Sequence, residues 1–317
     1  MDIYEADYVS NKNLQEICDL KQPVVFDMTT TIANFIGAFS LENILCEGSA
    51  YPVSLKDIND YNTDEIIVDY ITIPFKTALK LIDTDTNSKY FSDGNAEFMD
   101  ESGMEVNMRN IHEFLKPSFT IQTKYDLMVG SNGAYTPFKY TTDYRKFLIV
   151  SSGKITIKMT PFKNTKYLRE IRDYENYEFR SPIDVWNTQK KYLSDMDMIK
   201  FVESTISKGS MIYIPPYWWY SIKYSTTEED AAVIDITYNT IMNKVSYLPD
   251  NIKYFMQQQN TMKRINKISE SSKDPDPSKL ALDMGDDDET DDGVGEGSIG
   301  IDANVKEVEA SNAMNAI

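Results

Sequence analysis

Between Tyr125 and Tyr238 the apolar residues fall in short blocks: YDLMV (125–129), RKFLIV (145–150), KITIKM (154–159), SMIYI (210–214) and AAVIDITY (231–238). These blocks are rich in β-branched and aromatic residues, and Gly130, Gly133, Gly153 and Gly209 punctuate the region, which is the pattern of strands set off by turns. A run of such strands predicts a barrel or sandwich rather than a parallel α/β sheet. In KITIKM the alternation places Ile155, Ile157 and Met159 on one face and Lys154, Thr156 and Lys158 on the other. The first third is mixed: PVVF (23–26) reads as a strand, and a helix is expected from Ile32 to Leu45, ending near Gly48. Near the other end Ile252, Phe255, Met256, Met262 and Ile265 fall near helical spacing, with Pro249 by the start, and predict an amphipathic helix over 251–268. Such a stripe either packs on its own domain or pairs with another chain.

Composition changes the picture mainly at the C-terminus. From Glu270 onward 14 acidic residues stand against Lys273, Lys279 and Lys306, so −11 of the formal net charge of −18 lies there. With Pro, Gly and Ser abundant and aromatics almost absent, this stretch cannot bury enough surface to offset its ordering entropy, and a disordered acidic tail is expected over 269–317. The run Asp286 to Asp292 lacks the full spacing of a calcium loop, so a solubility or partner-docking tail is the reading. Over the full chain, 41% hydrophobic and 12% aromatic content is ample for a packed core. The expected organisation is one domain over 1–240 with its β core at about 120–240, a helical segment over 241–268, and the tail.

The acidic balance argues against a nucleic-acid partner, because phosphate-binding proteins concentrate Lys and Arg on one face. No stretch reaches the ~18–20 consecutive apolar residues of a membrane span, and the polar, acidic start MDIYEADYVSNKN is unlike a signal peptide. An intracellular, soluble protein with no membrane partner is therefore expected. Cys18 and Cys46 have no CxxC spacing, and each reads as a buried reduced thiol.

Three segments carry a family resemblance. TPFKYTTDYRKFLIVSSGKITIKMTPF (136–162) is similar to a TPLHxD strand and the strand and turn that follow it; SPIDVWN (181–187) is similar to a loop between barrel halves; KGSMIYIPPYWWYSI (208–222) closely resembles GDxLFIPPGWWHxV. In this order they resemble the cupin-like branch of the JmjC superfamily, the asparaginyl-hydroxylase-like 2-oxoglutarate dioxygenases. The resemblance spans most of residues 15–240. It implies a mainly β fold with flanking helices: a double-stranded β-helix, or jelly-roll barrel, with an N-terminal α/β extension and a C-terminal helix. Pro215 and Pro216 would stop strand pairing, while Trp218 and Trp219 read as core.

Active relatives hold Fe(II) with two His and one carboxylate, leaving open positions for co-substrate and oxygen. Carrying that pattern onto this chain puts Lys139 at the first His, Thr141 at the carboxylate and Tyr220 at the distal His. These are vestigial metal-ligand positions without a metal-binding residue. Asp143 lies two residues beyond Thr141, but the single histidine, His112, is far from the motif and reads as an ordinary surface or helix residue. The family's co-substrate lysine falls on Ile155, whereas Thr136 matches a hydroxyl that contacts 2-oxoglutarate in relatives.

A buried lysine needs a partner. Lys139 and Tyr220 are therefore expected either to hydrogen-bond within the pocket or to hold a small anionic ligand, with Thr136 and Ile155 as further pocket positions. The reading is a catalytically degenerate cupin/JmjC-like pseudoenzyme with no catalytic residues, metal or cofactor, acting as a binding or scaffold module. Its partner, another protein or a second copy, would dock on the 251–268 helix or the acidic tail. The alternative is an Fe(II)/2-oxoglutarate-dependent hydroxylase-like oxygenase with a nonstandard metal site. A third reading makes Lys139 a covalent nucleophile with Tyr220 as acid or base, which needs an amine of lowered pKa.

Overall fold

The computed structural model describes residues 3–225 and 230–271. The first third contributes β1 (Tyr4–Asp7), β2 (Val24–Asp27), β3 (Pro52–Asp57), β4 (Ile71–Pro74) and β5 (Tyr90–Ser92), interleaved with short helices. The strand-dense middle contributes β6 (Thr120–Gly130), β7 (Phe138–Tyr140), β8 (Arg145–Ser152), β9 (Lys154–Thr160), β10 (Ile171–Asp173), β11 (Glu178–Ser181), β12 (Val202–Ser207), β13 (Ser210–Ile214), β14 (Trp219–Ser225) and β15 (Ala232–Thr240). The protein is mainly β. A nine-stranded sheet has the order β1-β2-β13-β8-β15-β6-β5-β3-β4, and a six-stranded sheet the order β10-β11-β7-β14-β9-β12. Each sheet has two edges, so no barrel is closed among the described residues.

Turn chemistry sets the strand boundaries. Gly153 and Gly209 take φ of +61° and +91° at the β8–β9 and β12–β13 turns, a backbone region that side chains disfavour. After β13, Pro215 and Pro216 interrupt pairing, and the Tyr217 N–H donates to the Thr141 carbonyl at 2.8 Å, fixing the turn into β14. Trp219 is fully buried, whereas Trp218 only packs against the core from its margin.

Burial falls into three layers. Helices of the first third pack on the outer face of the nine-stranded sheet around Phe26, Phe75, Phe98, Phe147 and Tyr238. Between the sheets lie Leu148, Val150, Ile155, Ile157, Ile212, Ile222 and Val233. The outer face of the six-stranded sheet is covered around Phe138, Phe179, Leu168 and Trp219. β8 and β15 are consequently buried along their whole length, and each large apolar side chain there contributes about 1.5–3 kcal/mol by leaving water.

Several expectations need correction. The helix expected from Ile32 to Leu45 is two, Ala33–Ala38 and Leu41–Gly48, because Ser40 stands between them in an extended conformation and its hydroxyl accepts from the Asn43 N–H. Cys18 is buried, but Cys46 is exposed on the outer side of the second of these helices. The C-terminal helix is present as Leu248–Ser271, yet Ile252, Phe255, Met256 and Met262 are exposed rather than packed on the body. A compact unit, Met1–Lys263, carries the fifteen strands found among the described residues, and a second unit begins at Arg264. From Ser272 the expected tail, with its Asp286–Asp292 run, lies outside the described residues. Among the described residues no helix is long and apolar enough to cross a membrane.

Candidate functional site

Strand alternation delivers charge to the space between the sheets. Cross-strand partners share a face, so the pairings Asp235↔Asp126, Asp235↔Leu148 and Thr237↔Lys146 put Asp126, Lys146 and Asp235 on the side of β6, β8 and β15 that holds the apolar inter-sheet residues Leu148 and Val233. From the six-stranded sheet come Lys139 on β7 and its direct cross-strand partner Tyr220 on β14. These groups surround a cavity of about 290 Å³, to which Lys56, Asp93 and Glu178 also contribute. Thr141 and Asp143 line it as well, so Lys139, Thr141 and Tyr220, the three positions that the family resemblance aligns with metal ligands, line one cavity.

The charges inside are paired. Asp93, 2% exposed, takes the Lys56 ammonium on Oδ1 and the Lys139 ammonium on Oδ2, both at 2.6 Å. Lys139 also donates to Glu178 Oε1 at 3.1 Å, and Lys146 is bonded to Asp235. Burial disfavours the Lys139 ammonium, but Asp93 and Glu178 outweigh it and hold the group well above the ordinary lysine range. Lys56 and Lys146 are raised in the same way, by Asp93 and Asp235 against the effect of burial. Burial likewise pushes the Asp93 carboxyl up, and the two ammoniums pull it far below the carboxylate range. Asp126 lacks such a cation. It accepts from the backbone N–H groups of Gly94 (2.8 Å) and Asn95 (2.6 Å), yet burial and the neighbouring Asp235 and Asp93 push it up to about 6.

The donor set does not suit Fe(II). Lys139 is an ammonium with no lone pair to give, and the Thr141 hydroxyl is engaged by Asp143, whose other oxygen accepts from Asn239 Nδ2 at 2.7 Å. His112 is elsewhere: it is half-buried in a short helix, with Nδ1 3.0 Å from the Tyr238 hydroxyl and Nε2 2.6 Å from that of Tyr125. Burial, helped by Lys116 and Arg109, lowers its pKa. It is the helix residue expected, and its ring bridges two tyrosine hydroxyls. Among the described residues no group of three or more His, Cys, Asp and Glu side chains is arranged to hold a metal ion.

Two pocket positions expected from the sequence do not line the cavity. Thr136 is fully buried, and its hydroxyl accepts from the Ile222 N–H at 3.1 Å, which consumes it in holding β14. Ile155 is buried in the apolar layer between the sheets. Lys139 takes its neutralising partners from Asp93 and Glu178 rather than from Tyr220, and these two ion pairs engage two of its three N–H donors. Its raised pKa is also the reverse of what a lysine nucleophile requires.

Sequence reasoning missed Lys56, Asp93, Asp126, Lys146, Glu178 and Asp235. A usable signal existed for three of them: YDLMV, RKFLIV and AAVIDITY each carry a charge within an apolar strand, and a buried charge must find a partner. Comparison of the chain with protein-family models finds no match, and comparison with curated proteins likewise finds none.

Proposed function

We propose that the chain is a catalytically degenerate protein of the cupin/JmjC-like type, a non-enzymatic binding or scaffold module whose former metal position is filled by ion pairs. The carrying observation is the convergence of Lys139, Thr141 and Tyr220 on one cavity, with the Lys139 ammonium bound by Asp93 and Glu178. A jelly-roll reading draws support from strand order. β6 to β9 and β12 to β15 alternate between the sheets, as β13-β8-β15-β6 in one and β7-β14-β9-β12 in the other. That is the arrangement expected of a double-stranded β-helix, here extended at its edges by β1 to β5, β10 and β11.

Physical chemistry favours the non-catalytic reading over an oxygenase. A divalent ion placed among Lys56, Lys139 and Lys146 would meet three ammoniums at short range, and it would have to break the pairs that make their burial tolerable. The direct assay is succinate formation from 2-oxoglutarate by the purified chain with Fe(II) and ascorbate. No turnover above a protein-free blank is expected. Turnover that disappears on Lys139→Ala would establish the oxygenase instead.

A further inference from the structure

The C-terminal helix Leu248–Ser271 is amphipathic in the opposite sense from a helix that packs on a monomer. Its polar side faces the body: Gln258 Nε2 donates to the Glu175 carbonyl at 2.7 Å, Asp250 accepts from the Tyr174 hydroxyl at 2.9 Å, and Asn251, Gln257 and Thr261 are half-buried. The apolar residues Leu248, Ile252, Phe255, Met256 and Met262, spaced i, i+4, i+7, i+8 and i+14, form one stripe on the exposed side. The short helix before it, Ile241–Ser246, also exposes apolar residues, Ile241, Met242 and Val245. Exposure across these eight runs from 50% at Ile252 to 78% at Met242.

This is more apolar surface than a soluble monomer ordinarily leaves in water. Taking roughly 150 Å² per side chain, the lower end of the aromatic range because only Phe255 is aromatic, and half to three-quarters exposure, the eight expose on the order of 700 Å², which with a polar rim matches the about 800 Å² per partner of a stable interface. Along the stripe of the long helix, Leu248, Ile252, Phe255, Met256, Gln259 and Met262 are uncharged, and the one charged residue in the same arc is Lys263, toward its C-terminal end. Interfaces between identical subunits have that composition: an apolar core from which charge is depleted.

We infer that this face is the contact between two copies of the chain, paired about a two-fold axis so that each stripe covers the other. A two-fold contact needs only one self-complementary patch, and an apolar stripe whose single cation, Lys263, lies at its end satisfies that condition without matched charges at its centre. The inference is independent of what the cavity holds.

The test is sedimentation equilibrium on the full chain. A dimer at low micromolar concentration is expected, and Phe255→Glu/Met256→Glu should weaken association by about 100-fold or more, with an unchanged circular dichroism spectrum. Met242→Glu, in the neighbouring helix, should act in the same direction and decides the matter alone if the double variant misfolds. A wild-type chain that stays monomeric up to about 100 μM, or a dimer that these folded variants leave intact, overturns the inference.

Discussion

Asp93 holds two ammonium groups on one buried carboxylate, and that sharing sets which side chain the cavity least tolerates losing. Asp93→Ala leaves Lys56 without its carboxylate and Lys139 with Glu178 alone, and should cost about 3–5 kcal/mol in a urea titration. Lys139→Met removes one ammonium while Lys56 still covers Asp93, so it should cost clearly less. Asp126 makes a different prediction. Its folded pKa of about 6 lies above the unfolded value, so the folded state binds the proton more tightly. Asp126 therefore favours the fold at low pH, and that contribution is lost as pH rises from about 4 to about 6, by some 2–3 kcal/mol at most. His112, held neutral by burial, acts in the opposite sense below its unfolded value. The isolating experiment is the difference in stability between wild type and Asp126→Asn, followed from pH 4 to 8. It should change across that window and be flat above about pH 7; a difference independent of pH would contradict the account.

At the scale of elements, the end of β6 lies close against Tyr224 of β14. A Cβ built on Gly130 would lie 2.3 Å from the Tyr224 ring, so the glycine is what lets that ring lie against the strand. Gly130→Ala should cost about 1–3 kcal/mol by overpacking, and markedly less in a Tyr224→Leu background, measured as a double-mutant cycle. Equal costs in both backgrounds would mean the contact is not the constraint. The strands were legible in the sequence because β-branched runs and turn glycines mark them locally, as in KITIKM and SMIYI. The break at Ser40 was harder to see, since an N-cap serine within a continuous apolar pattern differs little from a helical one. The stripe from Ile252 to Met262 was also visible, but periodicity shows only that an apolar face exists. Which side meets the body is decided by partners far away in sequence, Tyr174 and Glu175.

Across the whole molecule the cavity was half readable. The positions Lys139, Thr141 and Tyr220 follow from short segments near the middle of the chain, and they do come together. Their neutralising partners do not follow, because Lys56 and Asp93 come from β3 and the loop after β5, more than 40 residues before Lys139. Only long-range strand pairing brings them there. The resulting arrangement, one buried and two largely buried ammoniums matched by carboxylates, is what sets the cavity against a divalent metal. Its most direct test is an anaerobic thermal titration of the full chain with Fe(II) or Mn(II), with and without 2-oxoglutarate, because a ligand that binds only the folded state must raise the midpoint. No shift at saturating concentrations is the predicted result. A shift that requires metal and 2-oxoglutarate together, and is lost on Lys139→Ala, would contradict it.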